Sequence, residues 1–264
     1  MKLIVFLLLF LICGNSFSQD NLIWSDEFNG NGSPDSNVWS YNLGATGYGN
    51  NEIQNYTDHL INSRQENGIL IIEAHKNGGE WTSARLISKD KFYFTYGRIV
   101  FRAKLPSGIG TWPALWMLAQ NIDEVGWPEG GEIDVMEHVG RRPGVVQAAL
   151  HTTSSHGNTV NLGFTDVPDY NTQFHLYEAN WTKDKIEFSV DGEVFYTYQP
   201  AIKDKDTWPF NKPQFIIMNI AMGGNFGSYP EFETNGLKNG IEPELSFARM
   251  EVDYVRVYKN EDLK

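Results

Sequence analysis

Apolar and polar residues alternate along many short stretches of this chain, which is the pattern of β-strands that bury one face. The stretch at residues 247–259 is the clearest, because Met250, Val252 and Tyr254 alternate there with charged neighbours such as Glu251 and Asp253. Gly, Pro, Asn and Asp separate the stretches, and no stretch has the 3.6-residue period of a helix. The pattern predicts strands at residues 22–30, 68–75, 82–88, 92–105, 112–118, 131–138, 145–152, 159–164, 173–181, 185–190, 193–198, 214–222 and 247–259. We therefore expect an all-β sandwich formed as one domain over residues 19–264.

The segment at residues 41–55 interrupts this pattern, because it is rich in Gly, Asn and Tyr and too polar for a core. Its side-chain amides and Glu52 are suited to hydrogen bonding with hydroxyl groups. A structured surface loop without a binding role is the alternative.

Three carboxylates lie close together on the strand at residues 131–138: Glu132, Asp134 and Glu137. In a regular strand Glu132 and Asp134 share a face and Glu137 points to the other side. One extra residue bulged out at Val135 or Met136 would return Glu137 to the face of the other two. The sequence therefore predicts three acids on one face of a sheet.

Acids placed this close together repel each other and move their pKa values apart. Such a split can supply one ionised nucleophile and one protonated acid, the pair that glycoside hydrolysis needs. The alternative is a solvated edge strand that happens to be acidic.

Tryptophans provide a second indication. Trp112 and Trp116 share a face of their predicted strand, and Trp127 shortly precedes the acids. Aromatic rings stack on the faces of sugar rings, whereas each Trp taken alone is equally at home in a core. Other chemistries find less support, because the six His are scattered and neither a Gly-x-Ser-x-Gly motif nor a phosphate-binding Gly loop occurs.

The first 18 residues are typical of a signal peptide, with Lys2, an apolar run from Leu3 to Ile12, and a small-x-small cleavage site ending at Ser18. The run is too short to span a membrane. Cys13 allows a lipoprotein interpretation, but the bulky Ile12 before it disfavours that processing. We expect a secreted protein that lacks disulfides after cleavage, since Cys13 is the only cysteine.

The net charge of −12 disfavours nucleic acids and anionic membranes as partners, because both attract basic surfaces. A neutral substrate is compatible with it. We expect a monomer.

The segment Glu132–Glu137 resembles the active-site signature of glycoside hydrolase family 16, in the longer form that carries an extra residue. The similarity to the laminarinase branch of this family covers roughly residues 22–259 in the right order. It includes segments at residues 26–28, 47–52, 83–85, 96–98, 112–117, 151–152, 222–225 and 252–258.

This resemblance implies a β-jelly-roll sandwich of two curved antiparallel sheets with a concave substrate cleft. It also implies retaining hydrolysis of internal β-1,3 bonds in laminarin-type glucans. By position, Glu132 would be the nucleophile and Glu137 the acid and base, while Asp134 would hydrogen-bond the nucleophile and help to hold the proton of Glu137.

The resemblance further implies sugar contacts at Asn50, Arg85, Trp112, Trp116 and Trp127. Tyr48 departs from the Trp that is more usual in its loop. No cofactor is implied for catalysis. A structural calcium ion on the convex side is implied, with oxygens from Glu27, Gly68 and Asp253.

Two other interpretations remain open on the sequence. One is a family relative acting on mixed-linkage β-1,3-1,4-glucan, agarose or carrageenan, although Met136 disfavours the compact mixed-linkage branch. The other is a non-catalytic β-glucan-binding protein on the same fold, which the presence of all three acids disfavours.

Overall fold

The computed structural model describes residues 21–228 and 240–260, and the predicted signal peptide lies outside these ranges. Within them, nearly all regular structure is strand, and the two α-helices have four residues each. No helix in the described part is long and apolar enough to cross a membrane. The strands are β1 (Leu22–Asp26), β2 (Ser40–Tyr41), β3 (Gln54–Tyr56), β4 (Ser63–Glu66), β5 (Ile69–Asn77), β6 (Glu80–Ser83), β7 (Arg85–Ile87), β8 (Gly97–Lys104), β9 (Thr111–Ala119), β10 (Glu132–His138), β11 (Val145–His151), β12 (Leu162–Asp166), β13 (His175–Trp181), β14 (Ile186–Val190), β15 (Glu193–Tyr198), β16 (Gln214–Met222) and β17 (Phe247–Tyr258). The helices are α1 (Ile122–Val125) and α2 (Gly224–Gly227).

The described strands form two sheets that pack face to face. The larger has ten strands in the order β15-β14-β13-β8-β17-β5-β6-β3, with β1 paired to β17 and β4 to β5. The smaller has seven strands in the order β12-β11-β10-β9-β16-β7-β2. Every pairing between named strands is antiparallel except that of β3 with β6. This arrangement is the predicted all-β sandwich.

The core lies between the sheets, where alternate residues of each strand meet. From the seven-stranded sheet, Ile133 and Met117 point inward and are fully buried. From the ten-stranded sheet, Phe101 and Val252 meet them in the same cluster. Because each inward residue is followed by one facing out, the seven-stranded sheet presents its polar and aromatic residues on its outer, concave face.

Several predicted strands have different boundaries in the structure. The stretch at residues 82–88 is two strands, β6 and β7, which belong to different sheets, because the chain crosses between the sheets at the fully buried Ala84. The stretch at residues 92–105 becomes strand only at Gly97, because Tyr96 and Gly97 have φ angles of 59° and 149°. A Cβ at position 97 would lie 2.8 Å from the carbonyl oxygen of Tyr258, so this close approach requires glycine.

The strand predicted at residues 159–164 begins later, at Leu162, because Thr159 folds back and donates its hydroxyl to the Leu150 carbonyl at 2.8 Å. Strands β2, β3 and β4 have no counterpart in the prediction. They are two to four residues long and mostly polar, so alternation of hydrophobicity gives no signal for them.

Candidate active site

The three acids project from strand β10 on the concave face. Next to β9, Asp134 pairs with Trp116 but Met136 pairs with Leu115, so Val135 is the extra residue. Next to β11 the same irregularity falls between Asp134 and Glu137. The predicted bulge is therefore present, and Glu137 faces the same side as Glu132 and Asp134.

Register across the sheet places Glu137 in a row of residues that crosses five strands. Gln147 on β11 pairs with Glu137, Glu137 with Ala114 on β9, Ala114 with Asn219 on β16, and Asn219 with Arg85 on β7. Three strand spacings separate Glu137 from Arg85, a distance of about 14 Å. This row forms a floor that runs across the strands.

The floor lies in a cleft of about 450 Å³. All eight residues predicted to act on or bind substrate line it: Glu132, Asp134, Glu137, Asn50, Arg85, Trp112, Trp116 and Trp127. They come from segments up to 87 positions apart in the chain (residues 50 to 137), and the structure brings them all together.

Hydrogen-bond donors hold two of the acids. Trp112 Nε1 donates to one oxygen of Glu137, and Gln147 Nε2 donates to the other, both at 2.9 Å. Trp127 Nε1 donates to Glu132 at 3.0 Å. Both carboxyls are therefore fixed in direction before any substrate arrives, which favours catalysis because no reorganisation is needed.

Burial raises the pKa of all three acids, because a charged carboxylate loses its hydration there. The pKa of Glu132 is raised to about 8, mainly by burial and then by the charge of Asp134. The pKa of Glu137 is also raised by burial, against the lowering effect of its hydrogen bonds from Trp112 and Gln147. The pKa of Asp134 lies well above its ordinary value, through burial and the charge of Glu137. The three acids therefore share protons near neutral pH, and the reactive form is the one in which Glu137 holds a proton while Glu132 is ionised.

His151 on β11 completes the cluster. Its Nε2 lies 3.3 Å from Asp134 and 3.7 Å from Glu132. The backbone N–H of Gly157 donates to Nδ1 at 3.1 Å, which assigns the ring proton to Nε2, facing the acids.

Glu132, Asp134 and His151 each offer one atom within 4.8 Å of the others, a spacing at which a metal ion could bind. Metal binding at Nε2 would move the ring proton to Nδ1, where it would oppose the Gly157 N–H. The arrangement therefore suits proton sharing rather than metal binding.

A family model described as "Glycosyl hydrolases family 16" matches residues 44–256. The chain belongs to glycoside hydrolase family 16. The beta-glucanase of Rhodothermus marinus is 43% identical over 251 residues, covering 90% of this chain and 85% of that protein. The glucan endo-1,3-beta-glucosidase of Cryptopygus antarcticus is 36% identical, covering 92% and 97%. A laminarinase crystal structure from Flavobacterium sp. UMI-01 matches with a TM-score of 0.83 and 42% identity, covering 90% and 100%. The resemblance to this family and the jelly-roll fold that it implied are confirmed.

The tryptophans of this family 16 site occupy different environments. Trp116 is buried, with the Arg85 guanidinium 4.6 Å from its ring centroid, so it forms part of the cleft wall. Trp112 is partly exposed and meets Phe226 edge to face. Trp127 is 46% exposed at the rim, where a sugar ring can reach its face.

Several residues of the cleft escaped prediction as site residues. Gln147 and His151 lie on β11, and their shared parity opposite the acids was a usable signal once the register of β10 and β11 was known. Asn219 lies in a very apolar strand, where one amide on the concave face was the only indication.

The predicted calcium positions lie on the other sheet, away from the cleft. Strand β17 pairs with β5 up to Val252 and with β1 from Val255, which leaves Asp253 between the two partners on that edge. Glu27 directly follows β1 and Gly68 directly precedes β5, so the three predicted positions flank this gap in the strand register.

The side chains at the gap are already engaged. Both carboxylate oxygens of Glu27 accept hydrogen bonds from Arg256, and Asp253 accepts one from Arg102 at 2.6 Å. Backbone carbonyls and the second oxygen of Asp253 are the donors that fit a calcium ion here.

Proposed function

We propose that the protein is a retaining endo-glycoside hydrolase that cleaves internal β-1,3 bonds of laminarin-type glucans. The observation that carries this proposal is the bulge at Val135, which puts three carboxylates on the floor of a Trp-lined cleft. The similar enzymes support the choice of β-1,3-glucan, since the chain matches a laminarinase and a glucan endo-1,3-beta-glucosidase over nine tenths of its length.

In the first step, ionised Glu132 attacks the anomeric carbon and protonated Glu137 gives its proton to the leaving glycosidic oxygen. The bond between anomeric carbon and oxygen breaks, and a glycosyl ester on Glu132 forms. In the second step, Glu137, now a carboxylate, removes a proton from water, which attacks the same carbon and releases Glu132. Two inversions give net retention.

Asp134 and His151 act on the protons of this cycle. Asp134 shares a proton with its neighbours, so the cluster avoids three buried negative charges. The Nε2–H of His151 faces Glu132 and Asp134 and stabilises negative charge on them.

The lining of the cleft favours a neutral polysaccharide. Among the described lining residues, Arg85 is the permanently charged basic side chain, and it stacks on Trp116 and Tyr48. A sulfated galactan would need more cationic partners than this. Mixed-linkage glucan remains the second candidate.

The test is a reducing-end assay of residues 19–264 on laminarin, barley mixed-linkage glucan, agarose and carrageenan, with Glu132→Gln and Glu137→Gln as controls. We expect short oligosaccharides from laminarin, lost in both variants, while circular dichroism shows an intact fold. Proton NMR should show the β-anomer first, because the mechanism retains configuration. Activity on a galactan alone would show that the substrate is a galactan and not a β-1,3-glucan, and binding without cleavage would indicate a glucan-binding protein.

We further infer that the protein is exported after removal of residues 1–18 and acts as a monomer. The charged start, apolar run and small-x-small site support export. N-terminal sequencing of the secreted protein and its mass by light scattering test both statements.

We also infer a structural calcium ion at the gap beside Asp253. Glu27 and Gly68 flank this gap from two strands, so an ion there would join β1 and β5 to β17. It would act on stability and not on the chemistry of the cleft.

A further inference from the structure

Glu52 is a carboxylate of the cleft that the catalytic cycle does not use. It lines the cleft at the end occupied by Asn50 and Arg85. The loop that carries it is bridged to Gly223, and the Asn225 N–H donates to the carbonyl of Asn50 at 2.7 Å. The loop is therefore fixed against the end of β16.

A chain of hydrogen bonds crosses the floor and ends at Glu52. Trp116 Nε1 donates to Asn219 at 2.8 Å, and Asn219 Nδ2 donates to the hydroxyl of Tyr56 at 3.0 Å. Tyr56 then donates its proton to Glu52 Oε2 at 3.3 Å. Every bond points the same way, so the chain ends at Glu52 Oε2, which accepts the last hydrogen bond.

Gln54 Nε2 donates to the same oxygen of Glu52 at 2.6 Å, while the side-chain oxygen of Gln54 accepts the Met222 N–H. The bonds from Tyr56 and Gln54 therefore both fall on Oε2. Burial raises the pKa of Glu52, and hydrogen bonds from Gln54, Asn50 and Tyr56 oppose this rise. Oε1 is the oxygen of Glu52 that the bonds from Tyr56 and Gln54 leave for contacts in the cleft.

The position of Glu52 excludes a direct part in bond cleavage. Glu52 is bridged to the end of β16, and β16 lies two strands from β10, a separation of about 10 Å. Arg85, the nearest cation of the row, lies one strand further still. A sugar bound here is not one of the two that share the cleaved bond.

We propose that Glu52 determines specificity at a remote subsite, where its Oε1 accepts hydrogen bonds from the hydroxyls of a glucosyl unit. This proposal rests on the proposed function. A vicinal diol presents its protons to a carboxylate oxygen, and Arg85 and Asn50 present donors to the hydroxyl oxygens of the same ring. The subsite therefore distinguishes long from short oligosaccharides.

The test is steady-state kinetics on laminari-oligosaccharides of increasing length with the wild type, Glu52→Gln and Tyr56→Phe. We expect Glu52→Gln to raise KM by about tenfold for oligosaccharides long enough to reach the subsite, with kcat changed less than about twofold. The shortest cleaved oligosaccharide should show no rise in KM. Glu193→Gln, an equal charge change at an exposed position on β15, is the matched control.

Tyr56→Phe separates two roles that Glu52 could have, namely direct contact with the substrate and support of the cleft floor. It interrupts the chain to Trp116 and leaves Oε1 facing the cleft. If Tyr56→Phe reproduces the length-dependent loss, or if Glu52→Gln raises KM equally at every length, Glu52 acts only through the structure and the proposal is overturned. A wild type inactive on all laminari-oligosaccharides would overturn the proposed function as well, whereas an active wild type with no length effect in Glu52→Gln overturns this inference alone.

Discussion

The pH dependence of activity should change sharply when Asp134 is replaced by Asn. Asp134 and Glu132 lie at successive positions on the cleft face of β10, and burial followed by the charge of Asp134 raises the pKa of Glu132 to about 8. Glu132 must be ionised to act as the nucleophile, so activity rises as pH rises through its pKa. Asn at position 134 removes the charge while keeping the shape of the side chain, so the pKa of Glu132 should fall.

The size of the change follows from the spacing of the two residues. Successive positions on one face of a strand lie about 7 Å apart. Two unit charges at 7 Å repel by about 2.4 kcal/mol at an effective dielectric constant of about 20. One pH unit corresponds to 1.36 kcal/mol, so the acid limb of the pH profile should move about 1.5 to 2 pH units towards lower pH.

The assay is kcat/KM for a soluble laminari-oligosaccharide, measured from about pH 4 to pH 10 for the wild type and Asp134→Asn. Circular dichroism at each pH controls for unfolding. An acid limb that stays within about 0.3 pH unit of the wild type, or that moves to higher pH, would refute the coupling between Asp134 and Glu132.

Three further predictions concern other parts of the molecule. His138 is buried against Tyr170, and burial lowers its pKa to about 4. Because the histidine of the unfolded chain takes up a proton below about pH 6.5, the wild type should lose about 2.5 kcal/mol of stability between pH 7.5 and 4.5, and His138→Phe should not show this loss. Urea unfolding at both pH values measures the two losses, and equal losses would contradict the prediction. Trp127→Phe removes the indole donor to Glu132, so kcat/KM should fall about tenfold and the acid limb of the pH profile should move to higher pH. An acid limb at the same pH as in the wild type would show that this hydrogen bond does not affect the pKa of Glu132. Removal of calcium with EGTA should lower the Tm by about 5–10 °C, and added calcium, but not magnesium, should restore it. A Tm insensitive to EGTA would contradict the proposal of a calcium ion at the gap beside Asp253.

Much of the fold follows from alternation of hydrophobicity. Strands β15 and β16 have the predicted bounds, β17 ends one residue before its predicted end, and β9 is longer than predicted by one residue at each end. Strand β17 buries mainly alternate residues, so its sequence carries the period of two directly, whereas β16 is buried along its whole length and is predicted by its continuous apolar run. The bulge on β10 was predictable for the same reason, because three acids on one face require an irregular step between Asp134 and Glu137.

The misplaced boundaries depend on tertiary structure. Nothing in the local pattern at residues 82–88 shows that the chain changes sheets at Ala84, because both sheets supply a buried environment on either side. The late start of β8 at Gly97 likewise accompanies the close approach of Gly97 to Tyr258, a contact between distant parts of the chain.

The site was predictable in its acids and tryptophans and less so in the residues that orient them. Gln147 and Asn219 are single amides in apolar strands, and their role appears only when register sets them in one row with Glu137. Register between strands is a long-range property, so residues of this kind are found from the structure.

The bulge on β10 also determines how this strand tolerates changes in length. In most half-buried strands, deletion of one residue exchanges the two faces and destroys the site. Here the deletion of one residue between Asp134 and Glu137 would leave the three acids at strictly alternate positions, all still on the cleft side. The catalytic strand can therefore exist at two lengths with the same chemistry, and shortening it by one residue would restore a regular strand.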